Sequence, residues 1–548
     1  MVLLRIFRNR TSSEQSPKDY ASRYGTEASL VRGRILEDFV HVELPLALVW
    51  LILGLFAGLV YAVEMLGLDG SMTLLSPERA RSLHISQMLY GFFPLMLSLL
   101  PFALFQKEGV LSENAIGHLR RYFVVWNLFL LFMSMALLFG NIRGLPFYDF
   151  PYQLNFLLAF SGVFYLLALV DALRRYEKRP LWVNVSLLAV IVAPIALVVL
   201  MNPQYGQVEQ TLVGPHGDNT LGMSFTLIPL YYLLIKLVAT QEFKPRWHGL
   251  WIVPLVGYAL SLIIRNFFHN LSYNEEWFFQ YLTLLYLPLL WVWLRDAGVN
   301  FKTNPYLILS IAAFVFVDLQ GNFLFIPEIR ALIHRNDLVV GHAHIAMGLG
   351  VAFMALAIMH HLLPNLFRRV YAVLWTVLMA LMALTLSVAG IIEAGGFIGA
   401  IEPFLGIRAL IGALLVVMVL WITYERIRFR LDSPLKFYHL SGFLSDAGGG
   451  VILILGGAAL FPLLGFNFSG TYEYIVFTFM IGTGLMHWYG IHSDPHRFAE
   501  LSASVRVLCA SVFAALYMAG ALDGIALLVA LYDTSFALVY WLVLRGKQ

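Results

Sequence analysis

The stretch that decides the fold is HRNDLVVGHAHIAMGLGVAFMALAIMHHL, residues 334–362, where a closely spaced pair of histidines opens an apolar run of membrane-spanning length. About 20 apolar residues cross the hydrocarbon core of a bilayer as one helix. Ionisable side chains inside such spans are costly and are kept mostly for function. His342 and His344 therefore mark both a membrane helix and a candidate functional site.

The rest of the chain has the same character. Of its 548 residues, 60% are hydrophobic and only 13% are charged, too few to cover the surface of a soluble domain. Apolar runs recur along the chain and give about sixteen candidate spans. Most of the 36 Lys and Arg residues fall on the side of the N-terminus, which predicts that both termini are cytoplasmic. We expect the lipid bilayer, and no nucleic acid, as a partner.

Three histidines lie at the outer ends of predicted spans. His84 begins the second span, and His342 and His344 begin the tenth. Two residues along an α-helix correspond to roughly 200° of rotation, so the imidazoles of His342 and His344 point to opposite sides. Each can reach the iron of a separate macrocycle, because imidazole is a common ligand of heme iron. The alternative is that each is a buried histidine bonded to a neighbouring carbonyl.

The residues around these histidines resemble the heme-copper oxidases, in particular the catalytic subunit of the cbb3 type. Arg81-Ser-Leu-His84 is similar to the R-P-L-H opening of the second helix in that family. HRNDLVVGHAH, residues 334–344, is similar to its H-Y-T-D-W-x-x-G-H-x-H run. The resemblance implies a low-spin heme b held by His84 and His344, and a second, high-spin heme b held by His342.

The same resemblance assigns three outer-side residues, Arg81, His334 and Asp337, to the region of the heme propionates. Arginine offers a forked pair of donors that matches a carboxylate. An ordinary interfacial charge is the alternative. Because the single cysteine, Cys509, excludes a C-x-x-C-H motif, covalent heme could only sit on a partner chain.

The resemblance covers the first twelve spans and predicts the fold class. We expect an all-α, polytopic membrane protein with a twelve-helix oxidase core at 39–430, after a polar cytoplasmic tail at 1–38. About four additional transmembrane helices follow at 431–548, and they resemble nothing that we recognise. His487 and the histidines after it are predicted to lie in a solvated loop.

The pattern fails at the second metal, copper B, which the family binds through one histidine in helix 6 and a pair in helix 7. The family's G-H-N-A-x-G is matched by GDNTLG, residues 217–222, so Asp218 replaces the first ligand. If Tyr258 is the active-site tyrosine, the pair is replaced by Ile264 and Arg265. Copper B is therefore doubtful, since guanidinium has no lone pair to donate. We hypothesise that Asp218 and Arg265 form an ion pair in that space.

One further substitution agrees with this interpretation. The family's ninth helix ends F-E-G-P, with an acidic residue that serves a proton path, and Gln320 stands at that position here. An amide cannot titrate as a carboxyl group does.

Three functions are compatible with these residues. The preferred one is an electron-transferring b-type cytochrome in a respiratory complex of a bacterial or archaeal inner membrane, with its hemes near the outer face. Its donor would be a c-type cytochrome or quinol, and other membrane subunits would be partners. The second is an unusual terminal reductase, in which Asp218, Arg265 and Tyr258 line the open face of the high-spin heme. The third is a non-redox scaffold.

Overall fold

The structure is a computed structural model that describes most of the chain. The described residues are 35–67, 75–144, 148–200, 217–324, 326–333, 336–396, 398–428, 433–463, 466–522 and 524–545. Within these ranges the chain is almost entirely helical and contains no strand. In a bilayer no water can satisfy the backbone, and a helix satisfies its N–H and C=O groups within one segment.

The helices of the first part of the described chain lie between Ile35 and Arg428. They are α1 (Ile35–Glu64), α2 (Pro77–Tyr90), α3 (Phe92–Leu97), α4 (Leu100–Lys107), α5 (Glu113–Leu138), α6 (Asn155–Leu173), α7 (Leu181–Leu200), α8 (Gly217–Val238), α9 (Gly249–Phe267), α10 (Tyr273–Tyr281), α11 (Tyr286–Asp296), α12 (Pro305–Leu324), α13 (Pro327–Ile333), α14 (Asp337–Ile345), α15 (Ala352–Leu362), α16 (Arg369–Ala394) and α17 (Glu402–Arg428). A π-helical segment, Ala346–Val351, joins α14 to α15.

Five helices follow, and together with two π-helical segments we call them the C-terminal unit. They are α18 (Pro434–Gly442), α19 (Gly449–Leu463), α20 (Thr471–His492), α21 (Pro495–Met518) and α22 (Gly524–Leu538). One π-helical segment, Phe443–Gly448, joins α18 to α19, and the other, Val539–Leu544, continues α22.

Thirteen helical stretches in the described ranges are long and apolar enough to cross a membrane. The other three predicted spans coincide with α7, with α8 and with the continuous run from α18 to α19. Large apolar side chains such as Phe156, Leu188 and Leu542 are exposed on these helices, as expected where the neighbour is lipid. The prediction of an all-α, polytopic membrane protein is confirmed.

The buried apolar side chains form two clusters. The larger runs from Leu36 in α1 to Ile422 in α17, and the smaller lies among α18, α21, α22 and the last π-helical segment. In the described part of the chain, helices α18 to α22 pack mainly against one another and against the two π-helical segments of the C-terminal unit. The two parts of the protein are therefore packed around separate cores.

Candidate heme site

Two glycines of α1 allow α2 to approach closely at His84. A Cβ atom on Gly58 would lie 2.5 Å from Nδ1 of His84, and one on Gly54 would lie 2.3 Å from the side chain of Met88. Small residues four apart are a common way for membrane helices to pack tightly. Nδ1 of His84 lies 2.8 Å from the carbonyl oxygen of Gly54. Since a carbonyl only accepts, Nδ1 carries the hydrogen and Nε2 keeps its lone pair.

The second pair of closely packed helices is α14 and α16, which positions His344. A Cβ atom on Gly390 would lie 2.1 Å from the backbone nitrogen of Leu338, so any larger residue there would push the helices apart. Nδ1 of His344 lies 2.8 Å from the carbonyl oxygen of Val340, one turn earlier. The ring is thus held in the same tautomer as His84, with Nε2 free to act as a ligand.

The imidazoles of His84 and His344 are separated by a distance that suits a bound iron. The ring centroids of His84 and His344 are 6.3 Å apart and the ring planes differ by 21°. Two metal–imidazole bonds of about 2 Å each, with roughly 1 Å from each nitrogen to its ring centre, require a centroid separation of about 6 Å. No hydrogen bond within the described residues occupies either Nε2 atom. The separation of the pair is therefore the one expected of two ligands that hold one heme iron between them.

His342 contacts a different helix from its neighbour His344. Its Nδ1 lies 3.1 Å from Oε1 of Gln320 in α12. The amide oxygen accepts, so Nδ1 donates and Nε2 of His342 is again the atom available to a metal. Gly321 leaves room beside this ring, with the nearest ring atom 3.5 Å from the position of a Cβ. The structure thus gives Gln320 a contact with the candidate ligand, which its position in the sequence did not reveal.

A buried arginine, Arg408 of α17, lies beside the facing imidazoles and was missed as a site residue by the sequence. Its Nη1 is 3.6 Å from Oδ2 of Asp337, and its guanidinium lies 5.2 Å from the centre of the Tyr61 ring. It is close enough to interact electrostatically with both His84 and His344. Nη2 of Arg408 is buried and has no hydrogen-bond partner among the described residues. A propionate carboxylate would supply that partner.

The sequence of the chain decides which family this arrangement belongs to. The family described as cytochrome c and quinol oxidase polypeptide I matches residues 39–395. The chain belongs to this family. It is the subunit I family of the heme-copper oxidases, whose members bind hemes, so the facing imidazoles lie in a fold that is built around heme.

Two relatives show how far the oxidase subunit I similarity extends. The cbb3-type cytochrome c oxidase subunit CcoN1 of Stutzerimonas stutzeri is 21% identical over 368 aligned residues, and the match covers 61% of this chain and 76% of that protein. Cytochrome c oxidase subunit 1 of Rhodobacter capsulatus is 23% identical over 364 aligned residues, and the match covers 58% of this chain and 66% of that protein. The resemblance to the heme-copper oxidases, including the cbb3 type, is confirmed.

Of the residues predicted to lie near the heme propionates, Asp337 lies at the site, whereas Arg81 lies nearer the loop after α5. The backbone N–H of Asp337 donates to Glu393, at 2.9 Å, and its carboxylate faces Arg408. The side chain of Arg81 is exposed and interacts with Asp149 in the loop after α5. Burial raises the pKa of Asp149, and the charge of Arg81 opposes that rise. His334 lies outside the described residues.

The structure describes only some of the residues that are predicted to replace the copper B ligands in this oxidase subunit I. Tyr258 and Arg265 are half-buried in α9, Arg265 in its last turn. The side chain of Asp218 lies outside what the structure describes, so its ion pair with Arg265 stays a prediction. Within the described ranges, no group of three or more His, Cys, Asp or Glu side chains is arranged to hold a metal ion.

One sequence expectation outside the oxidase core was wrong. His487 is not in a solvated loop: it lies in α20 with only 3% of its surface exposed, and its Nδ1 is 2.9 Å from Nδ1 of His439. The error came from reading His487 with the polar residues that follow it in sequence. Its partner lies 48 residues earlier, in α18.

Proposed function

We propose that this chain is a b-type cytochrome subunit of a respiratory complex in a bacterial or archaeal inner membrane, with both termini cytoplasmic and the heme sites near the outer face. The observation that supports it best is the facing pair His84 and His344, whose rings are 6.3 Å apart with each Nδ1 already engaged by a carbonyl. A c-type cytochrome or quinol would be the electron donor, and other membrane subunits would be partners.

The residues of the chain do three things for the low-spin heme b that we place here. Nε2 of His84 and Nε2 of His344 would bind the iron, and the carbonyls of Gly54 and Val340 hold both rings in the ligating tautomer. Arg408 would hold a propionate. When bound, the heme supplies a one-electron carrier.

We further propose that His342 holds a second, high-spin heme b. Its Nδ1–H is donated to a neutral amide, Gln320, at 3.1 Å. A carboxylate partner would push electron density onto the imidazole, whereas an amide does so weakly, so Gln320 leaves His342 a less basic ligand. The π-helical segment directly after His344 supports a specialised role for this turn, since such segments are frequent at functional sites.

Our proposal includes the loss of copper B from this member of the family. Asp218, Ile264 and Arg265 stand where three histidines would be expected, and neither an aliphatic chain nor a guanidinium binds copper. The chain would then carry electrons without a binuclear centre. Asp218, Arg265 and Tyr258 would instead line the distal side of the heme on His342.

We also propose that the chain divides into a tail at 1–38, an oxidase-like core at 39–430 and the additional helices at 431–548. The two separate hydrophobic clusters support this division. The family match, which ends at residue 395, supports it as well.

A heme and metal count on the purified full-length protein tests the proposal. We expect two b hemes per chain by pyridine hemochrome and no copper by elemental analysis. The oxidised and reduced spectra should show one six-coordinate low-spin heme. A colourless protein, or stoichiometric copper, would contradict the proposal. Fast carbon monoxide binding to the reduced protein together with turnover of oxygen or nitric oxide would instead favour the reductase.

A further inference from the structure

The C-terminal unit encloses a connected set of polar side chains in a part of the chain beyond the family match, which ends at residue 395. Each of them is less than a tenth exposed, and they come from five of its elements. They are His439, Asp446, His487, Arg506 and Asp533. Ionisable groups inside membrane spans are rare and commonly mark ion or proton pathways.

The two histidines form a chain of hydrogen bonds whose direction can be worked out. Nε2 of His439 lies 2.7 Å from the carbonyl oxygen of Pro495, so Nε2 donates. Nδ1 of a neutral His439 must then accept, and Nδ1 of His487, 2.9 Å away, donates to it. Nε2 of His487 is left as an acceptor, with the hydroxyl of Ser502 at 3.0 Å. Every ring nitrogen has a partner when both rings are neutral.

The cluster contains two carboxyl groups but only one arginine to balance their negative charge. Arg506 binds two carboxylates at once: its Nη1 lies 2.5 Å from Asp533, and its Nη2 contacts Asp446. The hydroxyl of Tyr532 donates to Asp446 at 3.0 Å. If both carboxyl groups were ionised, one negative charge would lie uncompensated among buried side chains, which is strongly unfavourable. Holding one proton removes that charge.

That proton has two places to reside. Nε2 of His487 lies 4.0 Å from Oδ2 of Asp446, a separation that a small side-chain movement closes. Asp446 belongs to the π-helical segment Phe443–Gly448, a geometry that is frequent at functional sites. We propose that the C-terminal unit contains an intramembrane proton-exchange site, in which one proton passes between Asp446 and the imidazole chain of His487 and His439.

Release of the proton can be written without any change in electron count. The O–H bond of protonated Asp446 breaks as an N–H bond forms at Nε2 of His487, and the hydroxyl of Ser502 turns its hydrogen away. The proton on Nδ1 of His487 then moves to Nδ1 of His439. His439 gives up its Nε2 proton to water in place of the Pro495 carbonyl. One proton leaves, Asp446 becomes charged, and the reverse path restores the cluster.

The geometry of α21 places the cluster deep in the membrane and its exit at the edge. Arg506 lies eleven residues after Pro495, about 16 Å along a helix that rises 1.5 Å per residue. Arg506 is thus halfway along α21, a helix of 24 residues and of membrane-spanning length. Ser493 and Asp494, next to Pro495, are exposed. The histidines therefore connect a site near the midplane with one membrane surface.

Several other titratable side chains face the cluster from the helices of the unit. In addition to His439, Asp446, His487, Arg506 and Asp533, which form the cluster, these groups are Tyr438, Cys509, Tyr532 and Tyr540. The alternative explanation is a permanent ion-pair network, in which both carboxylates stay ionised around Arg506. Such a network would not take up or release a proton, whereas the proposed exchange site would.

Infrared difference spectroscopy of the full chain in lipid nanodiscs, recorded against pH in H2O and D2O, distinguishes the two. For the wild type we expect a carboxyl or imidazolium band that titrates between about pH 5 and 8 and shifts in D2O. In Asp446→Asn the charges already balance, so the band should vanish while the protein stays folded. His439→Gln should keep the band but slow its exchange with solvent by about a hundred-fold.

Glu500→Gln, an exposed carboxyl on α21, is the matched control and should leave the band unchanged. The absence of any titrating band in the wild type would overturn the proposal, as would its persistence in Asp446→Asn. If Asp446→Asn does not accumulate, Asp533→Asn makes the same change of charge. Failure of both variants to fold would mean that both carboxylates must stay ionised, which also contradicts the proposal.

Discussion

The oxidase core and the C-terminal unit both bury histidines in a membrane bundle, and they leave them in opposite states. In the core, His84 and His344 each have one nitrogen bonded to a carbonyl and the other without a hydrogen bond among the described residues. In the C-terminal unit, His439 and His487 bind each other and every ring nitrogen has a partner. The first arrangement leaves one nitrogen of each ring available to an external ligand, whereas the second satisfies every ring nitrogen within the protein.

The two regions use the same packing device to hold these rings. Three of the four rings lie against a glycine of a neighbouring helix: Gly58 at 2.5 Å from His84, Gly442 at 2.6 Å from His487 and Gly490 at 2.8 Å from His439, measured from the position of a Cβ. Glycine at a helix contact lets the backbones approach and leaves space for a ring. The difference between the regions therefore lies in what surrounds the second nitrogen of each ring.

The largest effect, on the heme spectrum, is expected from a substitution in the pair His84 and His344, which we call the core pair. His84→Leu removes one of the two axial ligands, and we expect complete loss of the six-coordinate low-spin spectrum, because His344 alone cannot hold a low-spin iron. Optical spectra of the reduced protein and a hemochrome count measure this. His118→Leu, outside the site in α5, is the control. A retained low-spin spectrum in His84→Leu would refute the assignment of the core pair.

The next largest effect is expected from a substitution in the C-terminal unit, and this substitution should not change the heme site of the core. Arg506→Leu strands two buried carboxyl groups, and removing one partner of a buried ion pair typically costs about 3–5 kcal/mol. We expect lower thermal stability and poorer accumulation with an unchanged heme spectrum per folded chain. Arg497→Leu, an exposed arginine of the same helix, serves for comparison. A changed heme spectrum in Arg506→Leu would show that the two regions are coupled.

A smaller effect should follow from filling the space beside His84. Gly58→Ala places a methyl group 2.5 Å from the ring, so α1 or the imidazole must shift, at a cost of about 1–3 kcal/mol. We expect weaker heme retention and a shifted or broadened low-spin band. Gly162→Ala, in α6, has open space around the new methyl group and should behave like the wild type. Equal behaviour of both variants would argue against a positioning role for Gly58.

The smallest effect is expected for Asp149, a carboxyl group in the loop that follows α5. Burial raises the pKa of Asp149, with Arg81 opposing. An acid whose pKa is higher in the folded chain weakens folding once it is ionised, so the penalty exists at neutral pH and disappears below the ordinary value of about 4. Asp149→Asn should therefore raise the midpoint of thermal unfolding slightly at pH 7 and not at pH 4. A gain that is independent of pH would contradict this cause.

Much of the fold followed from local composition. Each predicted span coincides with a helix because a long apolar run in lipid can satisfy its backbone only as a helix or a closed barrel. The opposite directions of His342 and His344 also follow from helical rotation, and the structure gives them separate neighbours in Gln320 and His84. The π-helical segment after His344 was not predictable, since its residues have the same apolar character as the helix around it.

The sequence failed to predict certain contacts, and in each case for the same reason. Arg408 and Asp337 are 71 positions apart, and His439, Asp446 and Arg506 come from different elements of the C-terminal unit. Nothing in the local sequence around any of them shows which partner it will meet. His487 was placed in a solvated loop for this reason, because its neighbours in sequence are polar and its neighbours in space were unknown.

By itself, the amino-acid sequence determined that this protein is a helical membrane protein of the heme-copper oxidase type, and which histidines open its second and tenth spans. These properties depend on short-range periodicity and on motifs within single helices. Tertiary structure alone decided that His84 meets His344, that Arg408 lies beside them, and that the last helices share one buried charge cluster. Those contacts depend on which helices pack together, and helix pairing is set by close glycine contacts between segments far apart in the chain.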